Sequence, residues 1–219
     1  MAEAKLELFE LVNASGISVS PFVWRIRCAL LHKGLAWQSN KLGFTDPRKG
    51  FKTFPALQHG QRLMDGSWDI ACHLEQAFAD RPSLFGPGGE VHAAMLAHWV
   101  DSQLLAVVFR TIVADIHDAA RPMDQAYFRQ SREKRLGDTL ESAQARQRER
   151  GNALTALLEP ARRQFANHAF LHGEAPRYGD FCLFGMFQWS RGCSDYAFLE
   201  PGDPVLDWLG RMDGWLEER

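Results

Sequence analysis

Apolar residues recur along the chain in two rhythms, and the change between them divides it. Leu6, Leu8, Phe9, Leu11 and Val12 make a short, nearly continuous apolar run within Lys5 to Val12, the pattern of a buried strand. Asn13, Ala14, Ser15 and Gly16 turn the chain, and from Phe22 to Lys33 the spacing becomes helical, with Phe22, Ile26, Ala29 and Leu30 on one face and Gly34 as the stop. Ala36 to Leu42 predicts a second strand, parallel to the first in a right-handed strand-helix-strand unit. Gly43 to Thr53 is polar and reads as loop. Phe54 to Gln58 and Gln61 to Met64 predict two short strands joined at His59-Gly60, and Trp68 to Phe78 an amphipathic helix with Ser67 as its N-cap.

Pro82, Gly86, Pro87, Gly88 and Gly89 then leave no room for a regular element between Ala79 and Glu90. Beyond them the period is helical throughout. Leu96, Val100, Leu104, Val107 and Val108 predict one long helix running towards Ile116, and after Pro122 a charged helix runs from Gln125 to about Arg150. Leu154, Leu157, Leu158, Ala161 and Phe165 form an apolar stripe. Phe181 to Trp189 is apolar nearly all round and predicts the buried central helix, and Val205 to Leu216 closes the chain. The expected organisation is an α/β domain over 1–80, a linker over 81–90 and an all-α domain over 91–219.

Composition changes this picture little. A chain of 219 residues, 46% hydrophobic and 24% charged, can bury a sizeable core. A formal net charge of −2 gives no reason to expect nucleic acid or an anionic membrane as partner. The arginines between 129 and 148 alternate with acids and read as an ion-paired, solvated face. No apolar run approaches membrane-spanning length, and Met1-Ala2-Glu3-Ala4-Lys5 lacks the apolar core of a secretion signal, so a cytoplasmic location is expected. Cys28, Cys72, Cys182 and Cys193 are scattered with no C-x-x-C pair, and His92, His98 and His117 lack metal-ligand spacing; no disulfide and no metal are expected.

Three places could carry chemistry. Ser20 stands where a strand-loop-helix unit delivers a hydroxyl to a helix N-terminus, with Pro21 at the first helical position, and unpaired N–H groups and the helix dipole favour an anion there. Phe54-Pro55 opens a strand; with a cis bond, the residue before the proline can offer its N–H and C=O to an extended ligand backbone. Asp65-Gly66-Ser67 opens the next helix and could hold a carboxylate through the Ser67 hydroxyl and amide. Each has an ordinary structural reading as well: a plain cap at Ser20 and Ser67, a trans proline at a strand start.

In this order and spacing the three features resemble the thioredoxin-like half of glutathione transferases. The stretch Ser20-Pro21-Phe22-Val23-Trp24-Arg25-Ile26-Arg27 resembles the serine-type signature of zeta-like members, and Ser15 to Arg25, Gly43-Phe44-Thr45, Asp80 to Phe85, Asp115 to Asp118, Gln130 to Glu133 and Leu158-Glu159-Pro160 are similar to bacterial β-etherases. The resemblance implies a thioredoxin-like α/β domain followed by an all-α domain, glutathione as co-substrate, and a homodimer. It assigns Thr53, Phe54, Pro55, Gly66 and Ser67 to glutathione binding. Ser20 becomes the donor that stabilises the thiolate for attack on a hydrophobic electrophile, by conjugation or by β-aryl ether cleavage. Phe22, Phe109, Ile112, Val113 and Ile116 are the expected electrophile lining. Two positions depart from the pattern: Gly66 stands where an acidic residue usually precedes the serine, and Arg177 stands where Ser, Thr or Asn usually caps the helix of Asp180, predicting a weakened cap. Disulfide exchange would need cysteine at position 20; the alternative to an enzyme is a non-catalytic binding or interaction protein of the same fold.

Overall fold

A computed structural model describes residues 5–150 and 153–219; the opening residues 1–4, on which the leader expectation rests, lie outside the described residues. The α/β part has β1 (Leu6–Leu11), α1 (Pro21–His32), β2 (Gln38–Leu42), β3 (Ala56–His59), β4 (Arg62–Asp65) and α2 (Ser67–Ala77). The four strands lie in the order β2-β1-β3-β4, with β1 and β2 parallel and the other neighbours antiparallel. Alternation along β1 sends Leu6 and Leu8 into the main core, while Phe9 turns to the other face and packs with Phe51 and Ala56. The Phe51 ring lies 5.2 Å from Phe9 and 5.3 Å from Phe54, so this small cluster fixes the loop that leads into β3.

Ser67 is the first residue of α2 and not its cap. Gly66 holds the cap position at φ 90°, with no side-chain cap bond. The expected long helix is built in sections: α3 (Gly89–Trp99), a π-helical turn (Val100–Leu104), α4 (Leu105–Thr111), a break at Ile112, and α5 (Val113–Ala119). Its part Gly89–Thr111 is 23 residues long and contains an 18-residue window of mean hydropathy 1.2, so by length and composition alone it is sufficient to cross a membrane, which the sequence reading did not anticipate. Here Ala93, Ala97, Val100, Leu104 and Val108 are packed into the core, and the π turn carries the charged Asp101. The charged helix is also two, α6 (Pro122–Leu136) and α7 (Leu140–Glu149), separated at Gly137 with Thr139 capping the second. The next stripe is split between the short α8 (Leu154–Leu157) and α9 (Glu159–Phe165), where Pro160 begins a new first turn.

α10 (Tyr178–Arg191) is buried over nearly its whole circumference and α11 (Pro204–Glu217) covers it. Arg177 supplies no side-chain cap, since a guanidinium has no acceptor; Asp180 instead accepts from the Arg177 N–H at 3.1 Å, from Leu171 N–H at 2.8 Å and from Trp208 Nε1 at 3.1 Å. Burial pushes the Asp180 carboxyl up to about 6 against these three N–H bonds. The freed Arg177 guanidinium donates to the Ser83 carbonyl in the connecting segment. α10 meets α1 closely: a Cβ at Gly185 would lie 2.6 Å from the Pro21 carbonyl oxygen and 3.2 Å from Trp24 Cβ, so only glycine lets the helices approach this far.

Candidate active site

Ser20 precedes α1 in extended conformation (φ −131°, ψ 121°), and its Oγ accepts from Val23 N–H at 3.3 Å. It is therefore the helix cap. A capping hydroxyl spends a lone pair and keeps its proton, which is free to be donated elsewhere. The loop before it is held from several sides: Asn13 Oδ1 accepts from Ser15 and Ile17 N–H at 3.0 Å each, Asn13 Nδ2 donates to Gly192 O at 3.1 Å, and Ala14 N–H donates to Ala119 O at 3.1 Å. Trp24 Nε1 reaches back to the Ser18 carbonyl at 3.1 Å. Thus both the first turn of α1 and the helical part of the chain set where Ser20 stands.

Strand register brings the other two features to the same end of the sheet. β1 runs from Leu6 to Leu11 and continues into the Ser20 loop, where Val19 N–H donates to Leu11 O at 3.0 Å. Phe9 of β1 is opposite Ala56 of β3, which directly follows Pro55, and Ala56 is opposite Asp65 of β4, which directly precedes Gly66-Ser67. The Phe54-Pro55 bond is cis, and Gly66 N–H donates to the Pro55 carbonyl at 3.1 Å. Thr53 is exposed, Phe54 half-buried and Ser67 buried at 8% exposure. Asp65 is occupied: one carboxylate oxygen accepts from the backbone N–H groups of Lys52 and Thr53, the latter at 3.1 Å.

Beside Ser20 lies a cleft of about 380 Å³ between the α/β part and helices α4 to α6. Phe22, Phe109 and Ile116 line it, together with Phe44, Phe128 and Trp189. Ile112 and Val113 do not line it; both are fully buried, because the break between α4 and α5 turns them into the core. The cleft also exposes Asp101, Arg132 and Arg135, whose charges apolar periodicity gave no reason to place there. Asp101 receives the guanidinium of Arg25 from α1, through Arg25 Nη1 at 3.2 Å and a second bond from Nη2. The π turn around Asp101 brings this partner to the buried Arg25.

No cysteine is set up as a nucleophile. Burial pushes Cys28, Cys182 and Cys193 up to about 12 and Cys72 up to about 11, leaving the thiols protonated at neutral pH. What the site offers is a hydroxyl and a helix N-terminus beside an aromatic cleft, with a cis-proline edge and a second helix N-terminus on the same sheet end.

Two family models match the chain in succession, the glutathione S-transferase N-terminal domain over residues 15–82 and the C-terminal domain over residues 92–198. The chain belongs to the glutathione transferase superfamily. The glutathione S-transferase-like protein ustS of Aspergillus flavus is 25% identical across 84% of this chain and 78% of its own length. Glutathione transferase GSTFuA3 of Phanerochaete chrysosporium superposes with a TM-score of 0.85 at 20% identity, covering 98% of both chains. A glutathione S-transferase of Ceriporiopsis subvermispora, crystallised in complex with glutathione, gives 0.82 at 17% identity over 99% of this chain and 100% of its own. The architecture of this chain is thus that of its superfamily: a small α/β part with a mixed four-stranded sheet, then a helical part.

Some positions that shape the candidate site were not legible in the sequence. The Asn13 bonds depend on Gly192 and the Arg25–Asp101 pair on a π turn, both far away in the chain. The role of Asp65 had a signal, a carboxylate just before a glycine cap, but its partners on the preceding loop emerge only from the strand register.

Proposed function

We propose that this transferase binds glutathione across the β3–α2 end of its sheet and stabilises the thiolate through the Ser20 hydroxyl. The observation that carries the reading is the state of Ser20: its Oγ is engaged as acceptor by Val23 N–H, so the hydroxyl proton is free to be donated at the mouth of the aromatic cleft. The cis Phe54-Pro55 edge would pair with the cysteinyl backbone of glutathione, with Thr53 beside it, and Gly66-Ser67 at the start of α2 would receive the glutamyl carboxylate. A free thiol near pKa ~8.5 is only a few per cent ionised at pH 7. A hydroxyl donor and the N-terminus of α1 both favour the charged form, and a fall of roughly two units, about 2.7 kcal/mol, makes the thiolate dominant. Ser20 is then a donor to sulfur and needs no base beside it.

The thiolate would attack an apolar electrophile held in the cleft by Phe22, Phe109 and Ile116. The reaction would be conjugation or β-aryl ether cleavage, in which the thiolate displaces a phenoxide. The division into 1–80, 81–90 and 91–219 belongs to the same reading. So does a homodimer, which the exposed Val91 and Met95 on α3, 84% and 61% accessible, favour.

The test is Ser20→Ala, read by ultraviolet thiolate absorbance of bound glutathione as a function of pH. Loss of a hydrogen bond to a charged group, ~1.5–3 kcal/mol, should raise the thiol pKa by about one to two units and lower turnover at pH 6.5 by roughly 10- to 100-fold. Retention on immobilised glutathione should persist. An unchanged thiol pKa in a folded variant refutes the assignment of Ser20.

A further inference from the structure

The cleft that Ser20 lines also contains two arginines of α6 without counter-charges. Arg132 is half-buried; its guanidinium stacks over Phe128 at 4.9 Å and over Phe44 at 5.8 Å, and donates to Ser131 Oγ at 3.0 Å. Arg135, at the rim, stacks over Phe109 at 5.0 Å. Among the described residues neither meets a carboxylate. The nearby acids are committed: Asp101 to Arg25, Asp124 to Arg121 and Thr45, Glu133 to Arg129. Burial, with the like charges of Arg135 and Arg48 added, shifts Arg132 below its ordinary value, so the cluster is held at a cost to the folded protein. A guanidinium stays charged even so. Two planar cations set on aromatic rings, with no protein anion to receive, match one kind of small molecule: a flat ring with a carboxylate at its edge.

We propose that the electrophile of this cleft is an aromatic compound bearing a carboxylate, whose ring packs among Phe22, Phe109 and Phe128 and whose anionic group is received by Arg132 with Arg135. This rests on the glutathione-transferase reading for the reaction, while the arginine site stands on the cleft alone. Arg132 is the specificity residue; it acts on the far end of the substrate and not on the reacting carbon.

Two measurements test this. The first compares 4-(chloromethyl)benzoate with its methyl ester as electrophiles. With either, the glutathione sulfur forms a bond to the benzylic carbon, the C–Cl bond breaks, chloride leaves with the bonding pair and the thiol proton passes to solvent. After correction for the uncatalysed rates, kcat/KM should favour the acid on the order of tenfold at low salt, and less as salt is added. Arg132→Gln should bring the acid-to-ester ratio to near one, and Arg132→Lys should retain part of the preference. The second titrates 4-methylbenzoate and methyl 4-methylbenzoate in the absence of glutathione, read by tryptophan fluorescence and compared with a Trp189→Phe background that identifies the signal of the cleft. Tighter binding of the benzoate, lost in Arg132→Gln, supports the arginine site. If the benzoate binds preferentially but neither electrophile is turned over, the site stands and the glutathione reading falls. If the ester is turned over and neither experiment shows a preference for the acid, the inference is overturned while that reading survives. Loss of both compounds in equal proportion in Arg132→Gln would mark the arginine as packing for Phe44 and Phe128, and also overturns it.

Discussion

Replacing Asp101 by alanine should destabilise this protein by about 3 kcal/mol through a buried residue on α1. Arg25 lies on α1 and is only 1% exposed, and its Nε has no hydrogen-bond partner among the described residues. Asp101, whose side chain is 35% exposed towards the cleft, is its carboxylate partner. Removing one member of a buried pair typically costs ~3–5 kcal/mol, because a desolvated charge is left behind. Water entering from the cleft can partly solvate the guanidinium, which puts the expectation at the lower end. The Phe22 ring at 4.6 Å remains, but a cation–π contact of ~0.5–2 kcal/mol does not replace an ion pair. The assay is urea unfolding at pH 7, followed by tryptophan fluorescence and far-ultraviolet circular dichroism together. The double variant Arg25→Met/Asp101→Ala should recover most of the loss, since a methionine of similar length fills the space without a charge. A cost below ~1 kcal/mol for Asp101→Ala, or a double variant as unstable as the sum of the singles, would refute the claim that a buried, unpaired guanidinium is the cause.

Gly185→Ala should cost about 1–3 kcal/mol, because the new Cβ would lie 2.6 Å from the backbone oxygen of Pro21 and force α1 from α10; each kcal/mol lowers Tm by roughly 2–4 °C, and an unchanged Tm would show that the contact yields freely. Gly66→Ala puts a side chain at φ 90°, a strained conformation costing on the order of 1 kcal/mol, and should weaken retention on immobilised glutathione together with thermal stability; full retention would mean that the α2 N-terminus is not used. Burial holds His32 and His172 down at about 4, whereas an unfolded histidine titrates near 6.5. Between those values the unfolded state binds more protons, so this contribution is complete above pH 6.5 and is lost as pH falls through 4. These two histidines contribute up to two protons of slope in that window, against which the raised Asp180 carboxyl subtracts up to one, and His32→Gln should lower the slope by up to one proton; an unchanged slope would show that His32 takes up its proton in the folded protein.

The elements legible in the sequence were those whose neighbours are close in the chain. The α/β order, the cis-competent Phe54-Pro55 edge and the buried helix at Phe181 all follow from local period or a single proline. Helix ends were less legible where no local signal ruled. The break at Ile112 separates two stretches that share one apolar period, and Ile112 and Val113 fall into the core because of it. The charged run before Arg150 reads as one helix on composition, although Gly137 and Thr139 supply a stop and a new cap within it. The cleft itself mixes α1, the loop at Phe44 and α4 to α6. Its apolar members could be picked from helical period. Its arginines could not, because on a charged helix one unpaired cation looks like any other until the positions of the acids are known.

The two departures from the superfamily pattern have different physical outcomes. At Arg177 the cap side chain is missing and only the other half of the capping box remains, in which Asp180 accepts from the Arg177 amide while it also holds Leu171 and Trp208. At Gly66 the acidic side chain is missing, and the position is taken up by conformation: φ 90° lets the amide turn to the Pro55 carbonyl while the next residue opens α2. An acidic residue there would have to adopt a left-handed backbone that L side chains rarely tolerate. Asp65, one residue earlier, spends one carboxylate oxygen on the Lys52 and Thr53 amides, which ties the loop before Phe54 to the strand before Ser67 and joins the cis-proline edge and the α2 N-terminus in one frame. A ligand spanning both would therefore find its two anchor points prearranged, which lowers the ordering cost of binding even where one side-chain contact is absent.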